Sequence, residues 1–183
     1  MALRADATLE AFINRIIRNS EIMEILKLPL IEKDDNEELI DEKRKVLIDK
    51  FVRKTAEIPN LLDSEYEEVI INDVAYSDYG KIRITISFAG DIKMHHDLFG
   101  NPQVDILIYY DNTEIDNIYK LLDLISDEFS GQDLKIDLDN EKTFIRNIRN
   151  EGLITQTAMI NNYERLGIRF SFYANLYKIN KGG

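Results

Sequence analysis

Cysteine and tryptophan are both absent from this 183-residue chain, and glycine is scarce, with eight residues. Without cysteine the chain can form no disulfide bond, no zinc–thiolate site and no cysteine nucleophile. The few glycines do not cluster ahead of a helix, which argues against a phosphate-binding loop. No apolar run approaches the roughly 20 residues that span a bilayer, and the opening MALRADATLEAF has no apolar signal core. We therefore expect a cytoplasmic protein with no membrane partner.

Positive charge is also in short supply. The chain has 23 lysines and arginines against 34 aspartates and glutamates, which gives a net charge of −11. Ordinary nucleic-acid binding needs cations that displace the counterions of phosphates, and anionic lipid also attracts basic segments. Two interpretations remain open: a surface kept soluble by its charge, and a surface that repels or mimics DNA.

Apolar periodicity predicts helices first and strands afterwards. Helical spacing occurs over residues 6–19 and 20–28, and a charged helix is predicted over residues 37–58, ending before Pro59. From Glu65 the period changes from 3.6 to 2. There EEVIINDVAYS and KIRITISFAG predict an antiparallel hairpin.

The second half of the chain predicts one long helix among further strands. QVDILIYYD is apolar enough for a central strand, and DNTEIDNIYKLLDLISDEFSG is amphipathic. DLKIDLD and GLITQTAMI predict short strands separated by NEKTFIRNIRNE, and LGIRFSFYANLYKI predicts a last strand at an edge of the sheet. The fold class is therefore α+β, a mostly antiparallel sheet with helices packed on one face. We expect a single domain over residues 1–183, with a helical part at 1–60 and the sheet plus long helix at 61–180.

Both histidines of the chain, His95 and His96, are adjacent in DIKMHHDLFGNPQ, between two predicted strands. Adjacent side chains point to opposite faces of a strand, so two neighbouring imidazoles seldom bind one metal ion. His95 and Asp97 could share a face, yet this geometry supports only one ligand at a time. We therefore expect no catalytic residue, no metal site and no cofactor. Gly100-Asn101-Pro102 is interpreted as the turn into the next strand.

Tyrosine is abundant, with nine copies, which is typical of surfaces half-buried against a partner. A last strand at the sheet edge could pair with another subunit. Equally, these tyrosines could cap the core. The candidate subunit or partner interface comprises seven residues: His95, His96, Asp97, Phe99, Tyr109, Tyr173 and Tyr177.

The order of these features resembles that of the tail terminator, or tail completion, proteins of tailed bacteriophages and related contractile particles. The resemblance covers most of the chain and depends on layout together with VDILIYYDNTEIDNIYKLLDLI and YERLGIRFSFYANL. The charged helix between Glu37 and Ile58 is longer than in the smaller members of that family.

The resemblance implies a structural protein of the virion tail or neck, assembled in the host cytoplasm. Its members form a homo-oligomeric ring, typically a hexamer, on the last ring of tail-tube protein. The ring stops tube growth and faces the head-connector protein, and the sheath is a further candidate partner. DNA would pass through the ring without specific binding, since an acidic lumen repels it.

Two rival hypotheses belong to other classes of protein. An acidic DNA-mimic inhibitor would be a monomer or dimer with carboxylates arrayed like phosphates. A metal-dependent enzyme using His95 and Asp97 would purify with stoichiometric metal.

Overall fold

The computed structural model describes residues 3–55, 69–71, 74–76, 82–90, 92, 97–110, 114–138, 141–155 and 164–174. Four α-helices lie in these ranges: α1 (Ala5–Ile16), α2 (Ser20–Leu26), α3 (Glu37–Val46) and α4 (Ile115–Phe129). The strands are β1 (Val52–Arg53), β2 (Val69–Ile71), β3 (Val74–Tyr76), β4 (Ile82–Phe88), β5 (Gln103–Tyr110), β6 (Leu134–Leu138), β7 (Glu141–Ile145), β8 (Arg149–Ile154) and β9 (Glu164–Ser171). Among the described residues, no helix has the length and apolar character to cross a membrane.

The main sheet is mixed but mostly antiparallel, with the strand order β1-β4-β5-β9-β8. Only β1 and β4 pair in parallel, whereas the other three pairs are antiparallel. Two small antiparallel ladders, β2–β3 and β6–β7, lie outside this sheet. The α+β class is therefore confirmed, and β5 lies at the centre, as its apolar sequence predicts.

One face of the sheet is apolar because alternate residues of its strands are apolar. On β5, positions 104, 106, 108 and 110 are all buried. The helices α1 and α4 cover this face, and their aromatic rings close the core against β9. The Phe12 ring stacks on Phe129 with centroids 4.7 Å apart, and Phe129 meets the Phe170 ring edge-on at 5.5 Å. Aromatic pairs of this kind add to the stabilisation from apolar burial.

The opposite face of the sheet carries polar groups at the intervening positions of the same strands. Asp105 on β5 lies directly opposite Arg169 on β9, and the guanidinium donates two hydrogen bonds to the carboxylate at 2.7 and 2.8 Å. Gly167 lies opposite Leu107, where an added Cβ would approach the carbonyl oxygen of Ile106 to 2.6 Å. The close approach of β5 and β9 at this point therefore requires a glycine.

The charged helix predicted over residues 37–58 is confirmed as far as Phe51 and wrong from Val52, while residues 56–58 lie outside the described ranges. α3 ends at Val46, a π-helical turn follows over Leu47–Phe51, and Val52 starts β1. Val52 is buried and pairs with Ile84 of β4. Burial of Val52 in the sheet outweighs the helical spacing of this segment. The π-helical turn changes the direction of the chain between α3 and β1.

Three strand predictions are also corrected. The hairpin between EEVIINDVAYS and KIRITISFAG is wrong for the described residues, because β2 pairs with β3 inside the first stretch while β4 pairs with β1 and β5. NEKTFIRNIRNE, predicted as a connection, contains β7. Finally, β9 is not an edge strand, since it lies between β5 and β8. An alternating pattern identifies the buried face of a strand, but it does not identify the neighbouring strands.

Candidate functional site

Three segments meet at one end of the main sheet and form an exposed surface. Residues 99–102 lead into β5, residues 172–174 follow β9, and residues 146–148 join β7 to β8. They lie together because Ser171, the last residue of β9, pairs with the first residues of both β5 and β8. We call this surface the aromatic–basic tip and define it by Phe99, Asn101, Arg146, Arg149 and Tyr173.

Turn geometry and backbone hydrogen bonds hold the tip in place. The Ala174 N–H donates to the Gly100 carbonyl oxygen at 2.9 Å, and Gly100 has a φ of 68°, which glycine adopts without strain. Asn147 also has a positive φ, of 54°, and its N–H donates to Asp133 Oδ1 at 3.1 Å. Asparagine tolerates this region better than most residues. The tip is therefore anchored to the sheet on both sides.

The aromatic side chains of the tip extend into solvent. Phe99 is 61% exposed and Tyr173 is 65% exposed. Tyr173, Asn101 and the two arginines line a groove of about 240 Å³. Large exposed aromatic groups beside a groove are typical of surfaces that another macromolecule covers.

The two arginines of the tip carry uncompensated charge. Arg146 and Arg149 are exposed, and within the described ranges neither forms an ion pair. The nearby carboxylates are engaged with the chain itself: Asp133 accepts from the Asn147 N–H, and Glu151 accepts from the Ser171 hydroxyl. The five residues that define the tip thus carry a charge of +2, on a chain whose net charge is −11.

Negative charge is concentrated in residues 32–42, which we call the acidic segment. Its sequence, EKDDNEELIDE, holds seven acidic residues and one lysine, a net charge of −6 (7 against 1). Asp35 is held by Lys43 at 2.7 Å, and this hydrogen bond lowers the pKa of the Asp35 carboxyl. The other six carboxylates are exposed and, in the part of the chain that the structure describes, have no ion pair.

A larger groove, of about 780 Å³, runs along α1 and α2, but contacts between helices neutralise much of its charge. Arg15 and Asn19 both donate to Glu128 of α4, and Arg44 of α3 pairs with Glu10 at 2.5 Å. These contacts tie α1 to α3 and α4. We therefore assign the groove a structural role.

The sequence-predicted interface residues fall into three groups. Phe99 and Tyr173 come together at the tip, and both are exposed. Asp97 is exposed and forms an isolated antiparallel bridge with Arg4, just before α1. His95, His96 and Tyr177 lie outside the described residues. No group of three or more aspartate, glutamate or histidine side chains that could hold a metal ion occurs in the described ranges.

Tyr109 is a correction to the predicted interface. It is 2% exposed, so it presents almost no surface to another subunit. Its neighbours across the strands are Arg83 on β4 and Arg165 on β9. Tyr109 lies on the face opposite the helices, and this face is covered at that position.

Sequence reasoning missed the two arginines of the tip. Both lie in TFIRNIRNE, which was interpreted only as a connection. Two arginines three residues apart in a strongly acidic chain were a detectable signal. Their proximity to Phe99 and Tyr173, however, depends on the pairing of β5, β9 and β8.

The sequence matches no protein-family model, and a comparison with curated proteins finds no significant match. What the fold and the tip define directly is a small α+β protein with an exposed aromatic–basic surface at one end of its sheet.

Proposed function

We propose that this chain is a structural virion component, a tail terminator or tail completion protein. In this role it forms a homo-oligomeric ring, typically of six copies, that caps the tail tube and joins it to the head connector. The sheath is a further candidate partner. The observation that carries the proposal is the aromatic–basic tip, since exposed aromatic rings beside unpaired arginines have the composition of protein contact surfaces.

The arrangement of charge also favours a structural role. A ring of six copies would carry six times the net charge of −11. Such a ring would repel passing DNA instead of binding it, because nucleic-acid affinity depends on cations that neutralise phosphates. Arg146 and Arg149 of the tip are exposed and available for protein contacts.

The test is a mass measurement on the full chain, alone and with polymerised tail tubes of the same particle. Light scattering after size-exclusion chromatography should give a closed oligomer whose mass is a fixed multiple of the 21.3 kDa protomer. Electron microscopy should show the protein at tube ends, and its addition should stop further tube growth.

Other outcomes identify the rival functions. A monomer or dimer that blocks a DNA-binding enzyme would indicate a DNA mimic. Stoichiometric metal in the purified protein would indicate a metal-dependent enzyme. A monomer that leaves tube growth unchanged would overturn the terminator proposal.

A further inference from the structure

We propose that the aromatic–basic tip of one copy docks on the acidic segment of a second copy, so that identical chains associate head to tail. This inference rests on the proposed function, because it names the contact that would build the ring. It commits to a second copy of this chain as the occupant of the tip.

Charge complementarity is the first argument. The tip presents Arg146 and Arg149 without ion pairs in the described part of the chain, and the acidic segment has six exposed carboxylates without ion pairs there. Among the described residues of one protomer, neither these arginines nor these six carboxylates have an ion-pair partner. Each supplies what the other lacks, and complementary patches of this kind direct which surfaces meet and in what register.

The aromatic residues of the tip are the second argument. Arginine–carboxylate pairs at an exposed surface contribute little by themselves. Tyr173 lines the same groove as the two arginines and would help to cover them from water once a partner is bound, and Phe99 adds a second exposed ring at this end of the sheet. Aromatic residues that exclude water from charged contacts are typical of the interface positions that contribute most of the binding energy. The tip therefore combines arginines, which give specificity, with aromatic residues, which give affinity.

The position of the two patches in the sheet is the third argument. Arg149 starts β8, which is one edge of the main sheet, and every residue of β8 except Ile154 is exposed. The acidic segment runs into α3, and α3 leads through the Leu47–Phe51 turn into β1, the other edge. The two patches are thus connected along the chain to opposite edge strands of the sheet.

This placement decides the type of association. A contact between two different patches is heterologous, and such contacts repeat from copy to copy until the rotation closes a ring. A two-fold dimer would instead require the tip and the acidic segment of each copy to lie on one surface, so that both contacts form at once. Patches that adjoin opposite edge strands of the sheet therefore favour a ring over a two-fold dimer.

The experiment reverses the charge of each patch in the full-length chain. The tip variant is Arg146→Glu with Arg149→Glu, and the segment variant is Glu38→Lys with Glu42→Lys, two exposed positions one turn apart on α3. Each variant places like charges at the contact. We expect self-association measured by sedimentation velocity to weaken on the order of a hundredfold in each.

The chain that carries all four substitutions is the decisive sample. Its tip carries two glutamates and its α3 carries two lysines, so opposite charges face each other again at the substituted positions, with the polarity exchanged. We expect this chain with four substitutions, called the four-fold variant, to regain the oligomer. An equal mixture of the tip and segment variants should assemble as well. Raising the salt concentration should weaken assembly of the wild type and of the four-fold variant alike.

Matched controls separate the contact from net charge. Arg18→Glu with Lys120→Glu changes the charge as much as the tip variant does, and Asp123→Lys with Asp127→Lys matches the segment variant. All four control positions are exposed on or beside α1 and α4. These controls should assemble as the wild type does. If the tip variant fails to fold by circular dichroism, Arg146→Gln with Arg149→Gln replaces it and should still weaken assembly.

The possible failures are distinguishable. A wild-type ring with unaffected charge variants would overturn the docking contact and leave the ring proposal standing. Loss of assembly in both reversals without recovery in the four-fold variant would also overturn it, because the two patches would then have other partners. A wild type that never assembles would overturn both proposals.

Discussion

Phe172 and Tyr173 are neighbours in the chain and belong to opposite environments. Phe172 is 1% exposed and packs near Phe12, with ring centroids 6.3 Å apart, whereas Tyr173 stands in solvent at the tip. The aromatic core and the aromatic–basic tip thus begin at adjacent residues. The comparison separates aromatic side chains that stabilise the protomer from those that remain exposed at its surface.

The difference between the two regions is a difference in packing partners. In the core, Phe12, Phe129 and Phe170 are enclosed by each other and by the apolar face of the sheet. At the tip, the aromatic rings have polar and charged neighbours and remain open to water. Substitutions should therefore change folding free energy in the core and assembly at the tip.

The largest expected effect is in the core. Phe12→Ala removes a ring that contacts both α4 and β9, and we expect the free energy of unfolding to fall by about 3–5 kcal/mol through lost burial and a cavity. Urea unfolding of the full chain measures this. The same change at the tip, Phe99→Ala, is the matched control and should alter the unfolding free energy by less than about 0.5 kcal/mol. Equal losses from the two substitutions would contradict the distinction between the regions.

A smaller effect is expected at Tyr110, a buried residue of β5 whose hydroxyl donates to Glu164 Oε2 at 2.9 Å. Tyr110→Phe keeps the ring and removes this bond, which should cost about 1–2 kcal/mol. Burial, and next the Glu164 carboxylate, raise the pKa of Tyr110 above the ordinary tyrosine value of 10.0.

This shift sets the pH dependence of the Tyr110 effect. The folded state keeps the Tyr110 proton at pH values where the unfolded chain releases it. The stabilisation is therefore fully present below pH 10 and is lost as the pH rises above it. The difference in unfolding free energy between wild type and Tyr110→Phe should shrink as the pH rises from about 10 to 11. A difference that stays constant over this interval would count against the assignment.

The smallest effect on folding is expected at the tip, where assembly is the property that should change. The double change Phe99→Ala with Tyr173→Ala should leave the unfolding free energy within about 0.5–1 kcal/mol of wild type. It should nevertheless abolish the oligomer detected by light scattering. Phe144→Ala with Tyr119→Ala is the matched control, since it removes two other exposed aromatic rings. If the control also loses assembly, the aromatic residues of the tip contribute no more to assembly than other exposed aromatic residues do.

The sequence predicted the faces of the strands and helices well. The apolar stripe of α1, the buried side of α4 and the alternation of β4 and β9 all follow from spacing that the structure confirms. Errors arose where a segment had two possible structures. Val52 fits a helical pattern and also a strand pattern, and it belongs to a strand because it pairs with β4.

The candidate site was predictable only in part. Phe99 and Tyr173 are aromatic residues beside turn or polar positions, so their exposure follows from local pattern. Tyr109 has the same local pattern and is buried, because its exposure depends on strands far away in the sequence. No local sequence pattern indicated which residues would lie beside the arginines of the tip.

By itself, the sequence determined the α+β class, the buried face of each element and the excess of negative charge, because these depend on composition and on periods of 2 and 3.6 residues. Only the tertiary structure decided which strands became edges and which charged residues came together. Strand order joins segments such as Gly100 and Ala174, which are distant along the chain. No local spacing encodes such a meeting, since it results from the packing of the whole sheet against its helices.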